Sequence, residues 1–132
     1  MNKHTTSIRV RYEETDRMGV AYYGNYFVWF EVARTEFFRA LNLLYTELEK
    51  EGYRLMVIAA SCAYKSPTTY DDLIEIETAI TSVKNTSLSF SYKIHLGNTL
   101  VATGETSHVF TDAKGKPVRI PSRAKACLNA SG

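Results

Sequence analysis

From Asn25 to about Leu44 the apolar residues Phe27, Phe30, Ala33, Phe37, Leu41 and Leu44 recur at steps of three and four, with Glu31, Arg34, Glu36 and Arg39 between them. This is the spacing of an amphipathic helix, for which Asn25 is a candidate N-cap. It predicts one long helix, and the longer patterned segments around it read as strands. Thr5 to Tyr12 sets Ile8, Val10 and Tyr12 against Ser7, Arg9 and Arg11, the period-2 pattern of a half-buried strand. Glu13 to Gly24 keeps neither period and reads as a long loop. Beyond the helix, Tyr45 to Glu51 predicts a short helix that stops at Gly52. The nearly unbroken apolar run Leu55 to Ala63 reads as a central strand covered on both faces.

Ser66-Pro67-Thr68-Thr69 breaks that run. Two alternating segments follow, Leu73 to Val83 and Leu88 to Leu96, with a turn predicted at Lys84-Asn85-Thr86-Ser87. Gly97-Asn98 turns into a fifth strand, Leu100 to Thr111. A short sixth segment, Val118 to Ile120, precedes a frayed terminal helix over Pro121 to Asn129. One strand, one long helix and then strands joined by hairpins make an α+β domain, with an antiparallel sheet of five to six strands and the helix on one face. A single helix cannot cover both faces and both edges of such a sheet, so self-association is expected.

The chain has 132 residues, 45% of them apolar, enough to bury roughly two thirds of the surface its unfolded form exposes. With no repeat, linker or low-complexity tract, residues 1–132 read as a single domain. No apolar run approaches the ~18 residues of a membrane span, and the polar start Met1 to Thr6 lacks the apolar stretch of a signal peptide, so a cytoplasmic location is expected. Cys62 and Cys127 lack the pairing of a disulfide framework or a zinc site, and both read as packing residues. A net charge of +2 is too weak for a nucleic-acid footprint. Nine Tyr, six Phe and one Trp suit a large core or an oligomer interface.

Familiar catalytic patterns are missing. There is no Gly-rich phosphate loop after a strand, no closely spaced Cys/His set and no Gly-x-Ser-x-Gly elbow. His4 falls in a terminus expected to be mobile and His95 on a polar strand face. His108 shares a face with Thr106 and Phe110, which would allow its burial, and it reads as a core or surface histidine. Thr15-Asp16 remains, just ahead of the long helix. A carboxylate there lies close in sequence to the orphan N–H groups and positive dipole end of a helix start, which favour a developing negative charge. Gly19 and Gly24 permit a close backbone approach, and Tyr22, Tyr23 and Tyr26 offer apolar walls with polar tips. The plain alternative is that Asp16 caps a turn.

The stretch Arg9-Val10-x4-Thr15-Asp16-x2-Gly19-Val20-Ala21-Tyr22-x2-Asn25-Tyr26 resembles the active-site signature of hotdog-fold acyl-CoA thioesterases of the 4-hydroxybenzoyl-CoA thioesterase type. Phe30 to Glu36, Tyr64-Lys65-Ser66-Pro67 with Asp71-Asp72-Leu73, and Asn85-Thr86-Ser87-Leu88 resemble the branch containing the thioesterase of the bacterial Tol-Pal operon. The likeness runs over roughly residues 7 to 121. It implies a sheet wrapped around the long helix, sheets joined edge to edge in a homodimer or homotetramer, and an active site at the dimer interface. By position, it implies that Asp16 is the catalytic carboxylate and that backbone N–H groups near Tyr23 and Gly24 polarise the thioester carbonyl. Gly19, Val20 and Tyr26 complete the implied substrate site. Ala21 stands where a valine is usual. Tyr23 stands where the Tol-Pal branch commonly has histidine and the hydroxybenzoyl-CoA enzymes have tyrosine.

Such a spare site suits thioester chemistry, because a thiolate of pKa about 8.5 leaves without a strong general acid. Asp16 would attack the thioester or activate water, with no metal or cofactor. The acyl group is expected between the helix and a facing Ile58 to Cys62 strand, and Lys65, Lys84, Lys114 and Arg119 are candidates for the CoA phosphates. The substrate would be carried by CoA or by acyl carrier protein. The competing functions are a catalytically silent acyl-CoA or acyl-carrier-protein binding module, and a hotdog hydratase. A hydratase needs a histidine beside an acid, and no histidine lies between Thr5 and Ile94.

Overall fold

The computed structural model describes residues 3–130. Met1, Asn2, Ser131 and Gly132, at the ends of the span assigned to one domain, lie outside the described residues. The elements run β1 (Lys3–Arg9), a 3-10 turn (Tyr12–Glu14), α1 (Asn25–Ala40), α2 (Tyr45–Lys50), β2 (Arg54–Tyr64), β3 (Leu73–Val83), β4 (Ser87–Leu96), β5 (Thr99–Thr111) and α3 (Ser122–Ala130). All strand pairs are antiparallel, in the order β1-β3-β4-β5-β2. This is the α+β hotdog architecture, one long helix held by a five-stranded sheet.

α1 buries Tyr26, Trp29, Phe30, Ala33, Phe37 and Phe38. The sheet answers with Ile74, Ile76, Leu88, Phe90, Tyr92 and Ile94, all buried. Phe30 stacks on Tyr92 with ring centroids 4.3 Å apart. Gly104 makes room for that stack, since a Cβ there would come within 2.4 Å of the Phe30 ring. The helix stops at Ala40, short of Leu44, because Asn42 enters the left-handed region at φ 58 and Leu43 N–H bonds back to the Phe38 carbonyl at 2.9 Å.

Other boundaries also differ from the sequence pattern. β1 ends at Arg9, and Tyr12 leaves the strand for the 3-10 turn, 75% exposed. His4 lies within β1, opposite Thr78 and stacked on Phe37, so it is no part of a loose tail. The sixth strand reduces to an isolated bridge between Thr111 and Pro117. α3 buries Ala124 and Leu128 and packs against β3, which anchors a helix expected to fray.

The largest difference concerns β2. Its apolar run does not mark a central strand, because β2 is a sheet edge paired only with β5. Met56, Val57 and Ile58 are 48%, 53% and 61% exposed.

His108, for which the sequence left core and surface both open, is buried. Its Nε2 lies 2.8 Å from Thr106 Oγ1, which lies 2.6 Å from the Tyr92 hydroxyl, and Arg34 Nη1 donates to that hydroxyl at 3.1 Å. Burial, then the Arg34 charge, pushes the His108 pKa down to about 3. The unfolded chain therefore binds a proton at this position between about pH 6.5 and 3 that the folded chain refuses. The contribution of His108 to stability is complete above pH 6.5 and declines as pH falls through that window. His108→Phe is expected to lose less melting temperature than the parent between pH 7 and pH 4. Equal losses in the two proteins would show that another group governs acid sensitivity.

Candidate active site

Glu14 organises the loop that precedes α1. Although it stands beside Glu13 in a polar stretch, it is only 5% exposed. Its Oε1 accepts the Arg11 N–H at 2.8 Å and its Oε2 accepts the Trp29 indole N–H at 2.9 Å. Its backbone carbonyl accepts the Tyr22 N–H and the Asn25 side-chain amide, both at 2.8 Å. Asn25 is therefore the first helical residue and ties the helix to the loop, while Gly24 takes the N-cap position without a side-chain cap. Sequence inspection missed Glu14. The available signal was Trp29, a donor that seeks a partner when a helix buries it.

Between these anchors the chain turns back on itself. Asp16 N–H donates to the Val20 carbonyl at 2.9 Å, and Gly19 N–H to the Asp16 carbonyl at 3.0 Å. Gly19 has φ +81, a conformation that most side chains resist. Gly24 has an ordinary φ of −65, so its need is steric: a Cβ would lie 3.0 Å from the Tyr22 ring. The 66–72 segment buttresses this turn, with Thr68 accepting the Ala21 N–H at 2.8 Å and the Thr69 hydroxyl donating to the Gly19 carbonyl.

Asp16 Oδ1 accepts the Met18 N–H at 2.8 Å. The residue thus does cap a turn, as the plain alternative held. A carboxylate has further acceptor positions, however, and Asp16 also lines a cavity of about 350 Å³. Val20, Ala21, Tyr23 and Tyr26 share that cavity, and the end of β2 adds Tyr64, Lys65, Ser66 and Pro67. Gly19 and Gly24 shape the turn without lining it. Tyr26 and Tyr64 meet edge to face at 4.8 Å, and Tyr22 packs on Tyr23 at 4.6 Å outside the cavity. Burial raises the Tyr26 pKa, and the Tyr64 phenol is pushed up to about 12, first by desolvation and then by the adjacent Cys62 thiol. Tyr26 and Tyr64 therefore present neutral hydroxyls.

The expected wall from Ile58 to Cys62 is not part of this cavity; Ile58 faces outward on the sheet edge. Of the four basic candidates only Lys65 reaches the cavity, while Arg119 lines a separate one with Lys125. Among the described residues no group of His, Cys, Asp and Glu is arranged to hold a metal ion. None of their helices is long and apolar enough to cross a membrane.

A hotdog sheet whose helix starts beside a carboxylate-bearing turn defines a class, and the sequence places the chain within it. Residues 10–128 match the thioesterase-like superfamily, and the chain belongs to that family of thioester hydrolases. It is 38% identical, over 86% of its length and 87% of the relative, to the acyl-CoA thioester hydrolase YbgC of Escherichia coli O6:H1. A hypothetical protein from Aquifex aeolicus superposes with a TM-score of 0.92 at 32% identity, covering 96% of this chain and 99% of that one. The DHNA-CoA thioesterase of Staphylococcus aureus superposes at 0.88 with 30% identity, covering 98% and 95%.

Proposed function

We propose that residues 1–132 form a single hotdog domain that hydrolyses acyl-CoA thioesters to the free acid and CoA, with Asp16 as the catalytic carboxylate. The observation that carries this reading is the cavity that Asp16 shares with the Tyr23 and Tyr26 walls at the start of α1. Asp16 is held by Met18 N–H through one oxygen, which leaves its other oxygen for the reacting centre. The N–H groups at the helix start, on the Tyr23–Gly24 segment, face the build-up of negative charge on the thioester oxygen. With a thiolate leaving, one carboxylate and an oxyanion site are sufficient machinery, whether Asp16 attacks the acyl carbon or deprotonates water. Gly19 and Val20 set the turn, and Lys65 stands at the rim, where a CoA phosphate would meet a cation.

The test is thiol release over a panel of short, long and aromatic acyl-CoAs and matching acyl carrier protein thioesters, with a chelator present. Steady release from at least one thioester is the expected result. Tight binding without release would instead describe a silent acyl-binding module.

The same reading takes the protein to be a cytoplasmic homodimer, or a homotetramer built from such dimers. An edge strand carrying Met56, Val57 and Ile58 in the open is a template for pairing, and a second copy of β2 fits it by symmetry. Val28 and Val32 are further apolar side chains exposed on α1. Light scattering at micromolar concentration is expected to return two or four times the 14.9 kDa chain mass. A mass of 14.9 kDa would contradict both the dimer and a shared site.

A further inference from the structure

β2 delivers Tyr64 to the cavity 41 residues away in sequence from the carbonyl it bonds. The Tyr64 hydroxyl donates to the Tyr23 backbone oxygen at 3.0 Å, and Tyr26 N–H donates to the same oxygen at 3.3 Å. The ring is held edge to face against Tyr26, and more distantly against Tyr23 at 6.3 Å. The hydroxyl therefore meets that carbonyl from a fixed direction.

The Tyr23 carbonyl and the Gly24 N–H are the two ends of one planar trans peptide group. Fixing the carbonyl fixes the direction of the N–H. Hydrogen bonds accepted at the carbonyl also polarise the group and make its N–H a stronger donor. Among the described residues no acceptor takes the Gly24 N–H, as expected for an orphan donor at a helix start. We propose that Tyr64 is a positioning residue, whose hydroxyl holds the Tyr23–Gly24 peptide so that the Gly24 N–H stays aimed at the thioester carbonyl. This rests on the thioesterase reading of the cavity. A phenol whose pKa stands near 12 keeps its proton, so the contact persists across any working pH. Tyr64 also lines the cavity, which lets one side chain serve as wall and brace together.

Tyr64→Phe separates these roles, because it keeps the ring and removes only the hydroxyl. Its kcat is expected to fall roughly tenfold, less than the ~10²–10³ that loss of a whole oxyanion donor costs. KM should stay within about twofold, since ground-state contacts are untouched. Melting temperature should be unchanged. In the amide ¹H–¹⁵N spectrum of the protein without substrate, the Gly24 resonance is expected to move on the substitution. An unmoved Gly24 resonance, or a full kcat with only KM altered, would overturn the proposal. A parent protein that releases no thiol from any substrate would sink the thioesterase reading instead, and the Gly24 resonance would still decide whether Tyr64 braces the peptide.

Discussion

Asp16→Asn is expected to lower kcat by roughly 10²–10⁴, the range for losing a positioned base, and by more if Asp16 is the nucleophile. The fold should survive, because the asparagine side-chain oxygen can still accept the Met18 N–H that Asp16 Oδ1 now accepts at 2.8 Å. The turn hydrogen bonds through the Asp16 backbone are likewise untouched. KM should change little, since the donors at the start of α1 and the tyrosine walls remain. If Asp16 served only as a turn cap, the variant would melt slightly lower and turn over almost normally. Thiol release and thermal melting measured on the same preparation separate the two. A kcat within about threefold of the parent would defeat the catalytic assignment.

Glu14→Ala is expected to be the most damaging substitution in the loop that carries Asp16. It removes the acceptor for two donors, the Trp29 indole N–H and the Arg11 N–H. The buried indole N–H left unpaired costs about 1–3 kcal/mol, and the part-buried Arg11 N–H adds a smaller loss. For a domain of this size, a combined loss near 3 kcal/mol lowers Tm by roughly 10 °C. Glu14→Gln keeps one acceptor oxygen and should lose less. Turnover should fall with stability in the alanine variant, because the loop that carries Asp16 loses its anchor to α1. Calorimetry on both variants checks this. An alanine variant as stable as the glutamine variant would show that the carboxylate is not the anchor.

The fold was legible where periodicity is local. The 3.6-residue spacing through Phe30, Ala33 and Phe37 and the alternation of Leu73 to Val83 and Leu88 to Leu96 each describe one element and its buried face. β2 shows where that logic ends. An apolar run has the same composition whether its own chain or a second copy covers it, so Leu55 to Ala63 read as a central strand and lies at the edge. In the site, Asp16, Val20, Tyr23 and Tyr26 were legible because one short motif carries them together. Tyr64 entered only through the family resemblance, Ser66 and Pro67 otherwise marked only the break after an apolar run, and Lys65 was one of four candidate phosphate contacts; their convergence on Asp16 depends on how β2 ends beside α1. Glu14 was hidden for a related reason. Nothing in Tyr12-Glu13-Glu14 distinguishes the buried carboxylate from its exposed neighbour until Trp29 is packed above it.

Co-crystallising the Asp16→Asn protein with the acyl-CoA that the parent hydrolyses fastest tests the central claim most directly, since it catches the thioester before cleavage. The account predicts the thioester carbonyl oxygen about 3 Å from the Gly24 N–H, with the side chain of residue 16 beside the carbonyl carbon and the acyl group against Tyr23, Tyr26 and Tyr64. A thioester bound away from this cavity, or one whose carbonyl points away from the start of α1, would contradict it.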